Sequence, residues 1–214
     1  MSRLFYPLCL LSDALLTTAA QAATLDEDVV GDFSDDRLVP TQFTLSAGSN
    51  LVSGHYGRGA ARGADQDYLR IDVPSGLMLT AIQVLPATNH GGGRSFIGVQ
   101  TGPQLSVTPF AAEPADLLGY AHFTAVTTPL DILPGMGNAL GEGFGAQGFT
   151  PPLPGPTYTF WIQETQASSV FDYRFNFQVS AVPLPAPMIM LPASLAVLVM
   201  LQGRRPNCRR RAKG

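Results

Sequence analysis

Residues 171–180 read FDYRFNFQVS, and no other stretch of the 214 residues restricts the fold as tightly. Phe171, Tyr173, Phe175, Phe177 and Val179 take every second position, with Asp172, Arg174, Asn176, Gln178 and Ser180 between them. Successive side chains of a strand point to opposite faces, so a period of two with aromatics on one side is the pattern of a half-buried β-strand. A one-residue slip would turn the whole aromatic row to solvent, which sets the register firmly. Upstream, TYTFWIQET (157–165) alternates as well, with Tyr158, Phe160 and Ile162 on one face and Thr159, Trp161 and Gln163 on the other. Only six residues, 165–170, join the two runs, which predicts a hairpin. Closed symmetrically, that hairpin would pair Trp161 with Arg174 and bring it near Asn176.

Further strands are predicted over 41–45, 67–73, 77–85, 95–101 and 117–124, separated by AGSN, VPSG, NHGGG, TGP and TPPLPGP. No segment of the body keeps a long 3.6-residue apolar period, and no internal repeat has a clear period. The expected fold is all-β: an antiparallel, jelly-roll-like β-sandwich over 41–181, preceded by an acidic segment over 23–40. An N-terminal signal helix and a C-terminal transmembrane helix flank it.

Both ends read as addresses. Residues 1–22 carry Arg3, an apolar stretch and the small-x-small site Ala20-Gln21-Ala22, the pattern of a signal peptide cleaved after Ala22. The other reading keeps this segment as a membrane anchor. Near the other end, Met188 to Leu201 is interrupted only by Pro192 and Ser194. Pro187 can open a helix, whereas Pro183 and Pro185 cannot lie inside one. A short membrane helix entered from an extended Val-Pro-Leu-Pro stretch is expected, the other reading being a buried core helix with a solvated tail. Beyond it stand Arg204, Arg205, Arg209, Arg210, Arg211 and Lys213 with no acid, a tail that should stay cytoplasmic. Without these ends the body has six Arg, no Lys and 15 acids, a net charge of −9. That argues against nucleic-acid partners. Cys9 and Cys208 both fall in the end segments, so the body has no disulfide.

No catalytic constellation can be assembled. His55, His90 and His122 lack metal-ligand spacing, and Ser95 in GGRSFIG is not a nucleophile elbow. Gly143, Gly145 and Gly148 form a formal G-x-G-x-x-G, but FTPPLPGP follows where a helix would have to start, so the stretch reads as a surface loop. The chain is expected not to be an enzyme.

Two features suggest ligands. Asp26, Glu27, Asp28, Asp32, Asp35 and Asp36 crowd into eleven residues, and Asp65 and Asp67 open a later strand. Clustered acids repel, and calcium takes six to eight oxygens, many from carboxylates. The other reading is a solvated acidic linker. The second feature is Trp161, the only tryptophan. With Arg174 and Asn176 it could stack on a sugar, be capped by Arg174, or be buried under a neighbouring loop.

The stretch Val182, Pro183, Leu184, Pro185, Ala186, followed by an apolar run and an Arg-rich tail, resembles the VPLPA variety of the PEP-CTERM sorting signal. The resemblance implies a Gram-negative exporter. An exosortase-type membrane protease would remove the tail from an inner-membrane intermediate, sending the protein to the cell surface or outside, often alongside extracellular polysaccharide. Pro192 inside the run and Pro206-Asn207-Cys208 within the Arg stretch depart from that pattern.

The body is similar to the bacterial pre-peptidase C-terminal domain, a secreted β-sandwich. The matching stretches are DEDVVGDFSDD (26–36), AGSNLVSG (47–54), DQDYLRIDVPSG (65–76) and GPTYTFWIQE (155–164). In calcium-binding relatives of that domain the ligands come from the acidic stretch and the Asp-x-Asp strand start. The resemblance therefore implies Asp28, Asp32, Asp35, Asp65 and Asp67 as ligands and calcium as cofactor. The expected role is an exported cell-surface or matrix protein with a structural or interaction function. The alternative is a carbohydrate-binding or adhesion module.

Overall fold

The computed structural model describes residues 22–59, 63–88, 95–108, 113–164 and 169–183. The leader up to residue 21, Leu184, Pro185 and Ala186 of the motif, and the expected membrane helix lie outside the described residues. Among the described residues no helix is long and apolar enough to cross a membrane.

The body is mostly β and folds as two sheets. In chain order its elements are β1 (Ala23–Asp26), α1 (Glu27–Val30), β2 (Thr41–Thr44), β3 (Gly48–Gly59), β4 (Gly63–Asp65), β5 (Asp67–Asp72), β6 (Leu77–Val84) and β7 (Ser95–Thr101). There follow β8 (Gly119–Phe123), β9 (Leu130–Asp131), α2 (Leu133–Gly137), β10 (Leu153–Pro154), β11 (Thr157–Glu164) and β12 (Val170–Ala181). One sheet runs β1-β3-β12-β6-β10, with β4 paired to β3 and β9 to β6; the other runs β2-β5-β11-β7-β8. The seven alternating or apolar runs expected from sequence all form strands. β1 and β3 were not expected. β3 contains four glycines, which read as turns. It is ordered by its partners, β12 along Gly48–Gly57 and β1 along Asn50–Ser53.

Two expectations need correction. The sheets are mixed rather than antiparallel, because β1 runs parallel to β3 and β2 parallel to β5. The hairpin of β11 with β12 does not form. β11 lies between β5 and β7 in one sheet, and β12 lies between β3 and β6 in the other. Both edges of each strand are taken, so the two meet through side chains instead. Phe160 of β11 stands edge-on to Phe177 of β12 at 5.4 Å between ring centroids.

Strand parity follows the sequence. Phe171, Tyr173, Phe175, Phe177 and Val179 face the core, meeting Val52 and Tyr56 of β3, Leu69 and Ile71 of β5, Ile97 and Val99 of β7, and Phe160 and Ile162 of β11. Phe175 is fully buried and packs edge-on to Phe123 of β8 at 5.0 Å. Asn176 lies on the other face of β12, yet it is only 8% exposed. Its side-chain oxygen accepts from Ser49 Oγ (2.8 Å) and the Asn50 N–H (3.2 Å), and its amide donates to Gln83 Oε1 (3.2 Å).

Phe175→Ala should therefore cost about 3–5 kcal/mol through the cavity it leaves. Asn176→Ala should cost about 1–3 kcal/mol through the stranded partners. Urea melts of both variants check this, and two equally mild losses would contradict the inward aromatic row.

Candidate functional site

β1 carries the acidic segment into the fold. Leu25 faces inward, and Glu27, two residues on, is 5% exposed. Asp26 caps α1, its carboxylate accepting from the Asp28 N–H at 3.1 Å. Asp26 is in register with Ser53, so Glu27 comes beside Gly54, and Gly54 pairs with Tyr173. The missing side chain at Gly54 makes the room. A Cβ there would stand 2.6 Å from the Tyr173 hydroxyl and 2.7 Å from Glu27 Oε2. Glu27 Oε2 also accepts from the His55 N–H at 2.6 Å.

Across the sandwich, Asp67 heads β5 on the same face as Leu69 and Ile71 and is fully buried. Asp65 ends β4 and is buried too, whereas Asp32 follows α1 and is exposed. These four carboxyls act on one another. Burial raises Asp67 to about 9, with Glu27, Asp65 and Asp32 adding to the rise. Burial also raises Glu27 to about 7, Asp32 alongside adds to this, and the His55 N–H opposes it. Glu27 Oε1, both Asp67 oxygens and the Tyr173 hydroxyl are buried without a hydrogen bond of proper geometry, although Tyr173 is near enough to act on Asp67.

Glu27 Oε1 and the Asp67 oxygens are buried acceptors of the hard kind that a cation such as calcium takes, while the gap at Gly54 is filled by the Tyr173 hydroxyl and Glu27 Oε2. Among the described residues no group of three or more His, Cys, Asp or Glu already stands in metal-holding geometry. Of the five ligands expected, Asp32, Asp65 and Asp67 belong to this cluster. Asp28 instead lies 3.2 Å from His55 Nε2, and Asp35 accepts from the Gln66 N–H at 3.1 Å. Glu27 was not among the five. Its place two residues after Leu25, on the inward side of an extended run, was the signal for it.

His55 fastens the same segment from outside. Its Nδ1 lies 2.8 Å from Asp172 Oδ1, so each ring nitrogen has a carboxylate partner. Burial works against the charged ring, but Asp28 and Asp172 outweigh it and raise the His55 pKa.

Trp161, Arg174 and Asn176 are not assembled into one site. Trp161 pairs with Tyr68 and Gly98, while Arg174 pairs with Ser53 on the other sheet. Trp161 does lie on the face away from Phe160, as its parity required, but it is only 2% exposed. Leu105, Val107, Leu117 and Ala146 cover it, Tyr68 stacks on it at 6.2 Å, and its indole N–H donates to Gln66 Oε1 at 3.3 Å. Burial by neighbouring loops is thus the reading of Trp161 that matches the structure. Arg174 is exposed on the outer face of the opposite sheet.

No family model matches the chain, and no curated protein matches it.

The buried acids set a pH dependence for the metal-free protein. An acid whose pKa is higher folded than unfolded stabilises the fold below its unfolded value, about 4. That contribution is lost as pH rises through the folded value. Asp67 (about 9) and Glu27 (about 7) therefore act in the same direction, as does His55 with its raised pKa. In EGTA the melting temperature should fall from pH 5 to pH 9, and Asp67→Asn should flatten much of that fall. A melting temperature that climbs over this range would mean that the carboxyls are not buried together.

Proposed function

We propose that the chain is an exported cell-surface or extracellular-matrix protein, sorted through its C-terminal segment, whose β-sandwich has a structural or interaction role and no catalytic one. The observation that carries this reading is where the core stops. Val179 is the last buried residue of β12, the compact unit ends at Ser180, and the exposed Val182 opens the Val-Pro-Leu-Pro-Ala motif. A membrane protease of the exosortase type cutting at the motif would remove nothing from the core. An acidic, disulfide-free body suits release into the medium or a polysaccharide matrix, with the inner membrane as a way station.

Calcium belongs to the same reading. Glu27, Asp32, Asp65 and Asp67 would hold it, offsetting a repulsion that burial otherwise relieves only by protonation. The ion would stabilise the fold by neutralising carboxylates that two sheets and the N-terminal segment force together, with no role in a reaction.

Two measurements test these proposals separately. Intact mass of protein recovered from envelope and medium should show a species starting near Ala23 and ending between residues 182 and 187. Recovery of full-tail protein alone would reject the sorting reading. Against EGTA, calcium at about tenfold its Kd adds roughly 1.4 kcal/mol, a rise of about 3–6 °C in Tm for a domain this size. Glu27→Gln or Asp67→Asn should remove that rise. Identical melting curves in EGTA and 10 mM calcium would reject the cation.

A further inference from the structure

The outer face of the β3–β12 pair holds a second polar feature, a groove of about 330 Å³ that the calcium reading does not use. Its floor is made of cross-strand partners: Ser53 opposite Arg174, and His55 opposite Asp172. Asp26 and Asp28 form one wall and Ala87 the other.

Ala87 has φ +81°, the one positive φ at a non-glycine residue among those described. It is the third residue of the turn Leu85-Pro86-Ala87-Thr88, closed by the Thr88 N–H donating to the Leu85 carbonyl at 3.2 Å. Glycine is the usual residue at such a position, and an observed outlier of this kind points toward function. The turn is tied to β12 at one residue. The Arg174 carbonyl accepts from the Leu85 N–H (2.9 Å) and Thr88 Oγ1 (3.2 Å), and the Arg174 N–H donates to Thr88 Oγ1 (3.1 Å). The backbone of Arg174 is thus fixed from both sides, while its guanidinium makes no hydrogen bond or ion pair among the described residues.

The donors and acceptors left over define the ligand. Arg174 offers a fork of N–H donors and Ser53 a hydroxyl. Asp26, Asp28 and Asp172 each use one oxygen in the contacts above and keep the other as an acceptor. Three carboxylates oppose an anion. Arg174, together with a His55 ring held between two of those carboxylates, opposes a cation. The groove lacks an apolar floor for a greasy ligand. An uncharged molecule whose every hydroxyl both donates and accepts meets all these conditions, and the volume lies at the small-ligand end of binding clefts. We propose that this groove binds neutral sugar units, with Arg174 and Ser53 as donors and the free oxygens of Asp26, Asp28 and Asp172 as acceptors. The proposal does not depend on the sorting signal or on calcium.

The test uses the full-length chain in a detergent without a sugar headgroup, applied to an array of neutral, acidic and amino oligosaccharides and followed by calorimetry on the best neutral binder. At least one neutral oligosaccharide should be retained. Arg174→Ala should weaken it tenfold or more and Ser53→Ala severalfold, each with an unchanged melting temperature. Arg174→Lys should recover part of the loss, and Trp161→Phe should leave binding as it was. Retention of no neutral saccharide, preference for acidic or amino sugars, or equal binding by Arg174→Ala would each overturn the proposal.

Discussion

The packing of β11 against β12 governs most of what this sandwich can do. The two strands are neighbours in sequence, yet each sits inside a different sheet, and Phe160 meets Phe177 in the space between. Once Phe160, Ile162, Phe175 and Phe177 claim that space, parity assigns every intervening side chain to an outer face. Trp161 and Arg174 then end up on opposite outsides of the molecule. Their fates differ because of what lies above them. Loops roof the Trp161 face with Leu105, Val107 and Leu117, whereas the Arg174 face opens into a groove.

Toward one end of the sandwich the interior turns polar. Asp67 continues the inward row of Leu69 and Ile71, and Glu27 continues that of Leu25, so the strand geometry that buries the apolar residues also drives two carboxyls between the sheets. Nearby, Tyr56 and Ser95 share a buried hydrogen bond of 2.6 Å, and Ser95 donates to Glu164 at 3.1 Å. That polar chain is satisfied; the Glu27–Asp67 group is not. Unmet buried acceptors weaken a fold unless a proton or a cation meets them. The contrast between these two neighbouring groups is what supports the proposed cation at the carboxyls.

Strand existence and parity were legible because both depend on nearest neighbours in sequence. The period of two in FDYRFNFQVS and TYTFWIQET assigned every core side chain of those strands to the correct face. Partners were not legible. A six-residue link suggested a hairpin, but a link of that length serves equally to step from one sheet to the other, and only the competing pairings with β3, β5, β6 and β7 decide between them. β3 was missed because glycine is a turn signal in isolation, and its close-approach role at Gly54 exists only once Glu27 and Tyr173 arrive there. The acid cluster was visible as composition. Which acids turn inward depended on β1 being a strand at all, and so Asp28 was expected where Glu27 stands.

The short segment from β1 into α1 supplies both candidate sites. Glu27 points inward to the buried carboxyls, while Asp26 and Asp28 form a wall of the outer groove. β1 pairs with β3 alone, its inward anchor is Leu25, and the contacts of Glu27 and Asp28 with His55 hold the segment beyond it. Charge decides how firmly it sits. Once rising pH takes the proton from Asp67, repulsion between Glu27 and Asp67 pushes it away, and the His55 contacts with Asp28 and Asp172 pull it back. A cation between Glu27 and Asp67 would reverse the first of these forces and steady the groove wall without touching the groove. If both proposed sites are filled they share one strap, and by linkage whatever a cation added to sugar affinity, a bound sugar would add equally to cation affinity.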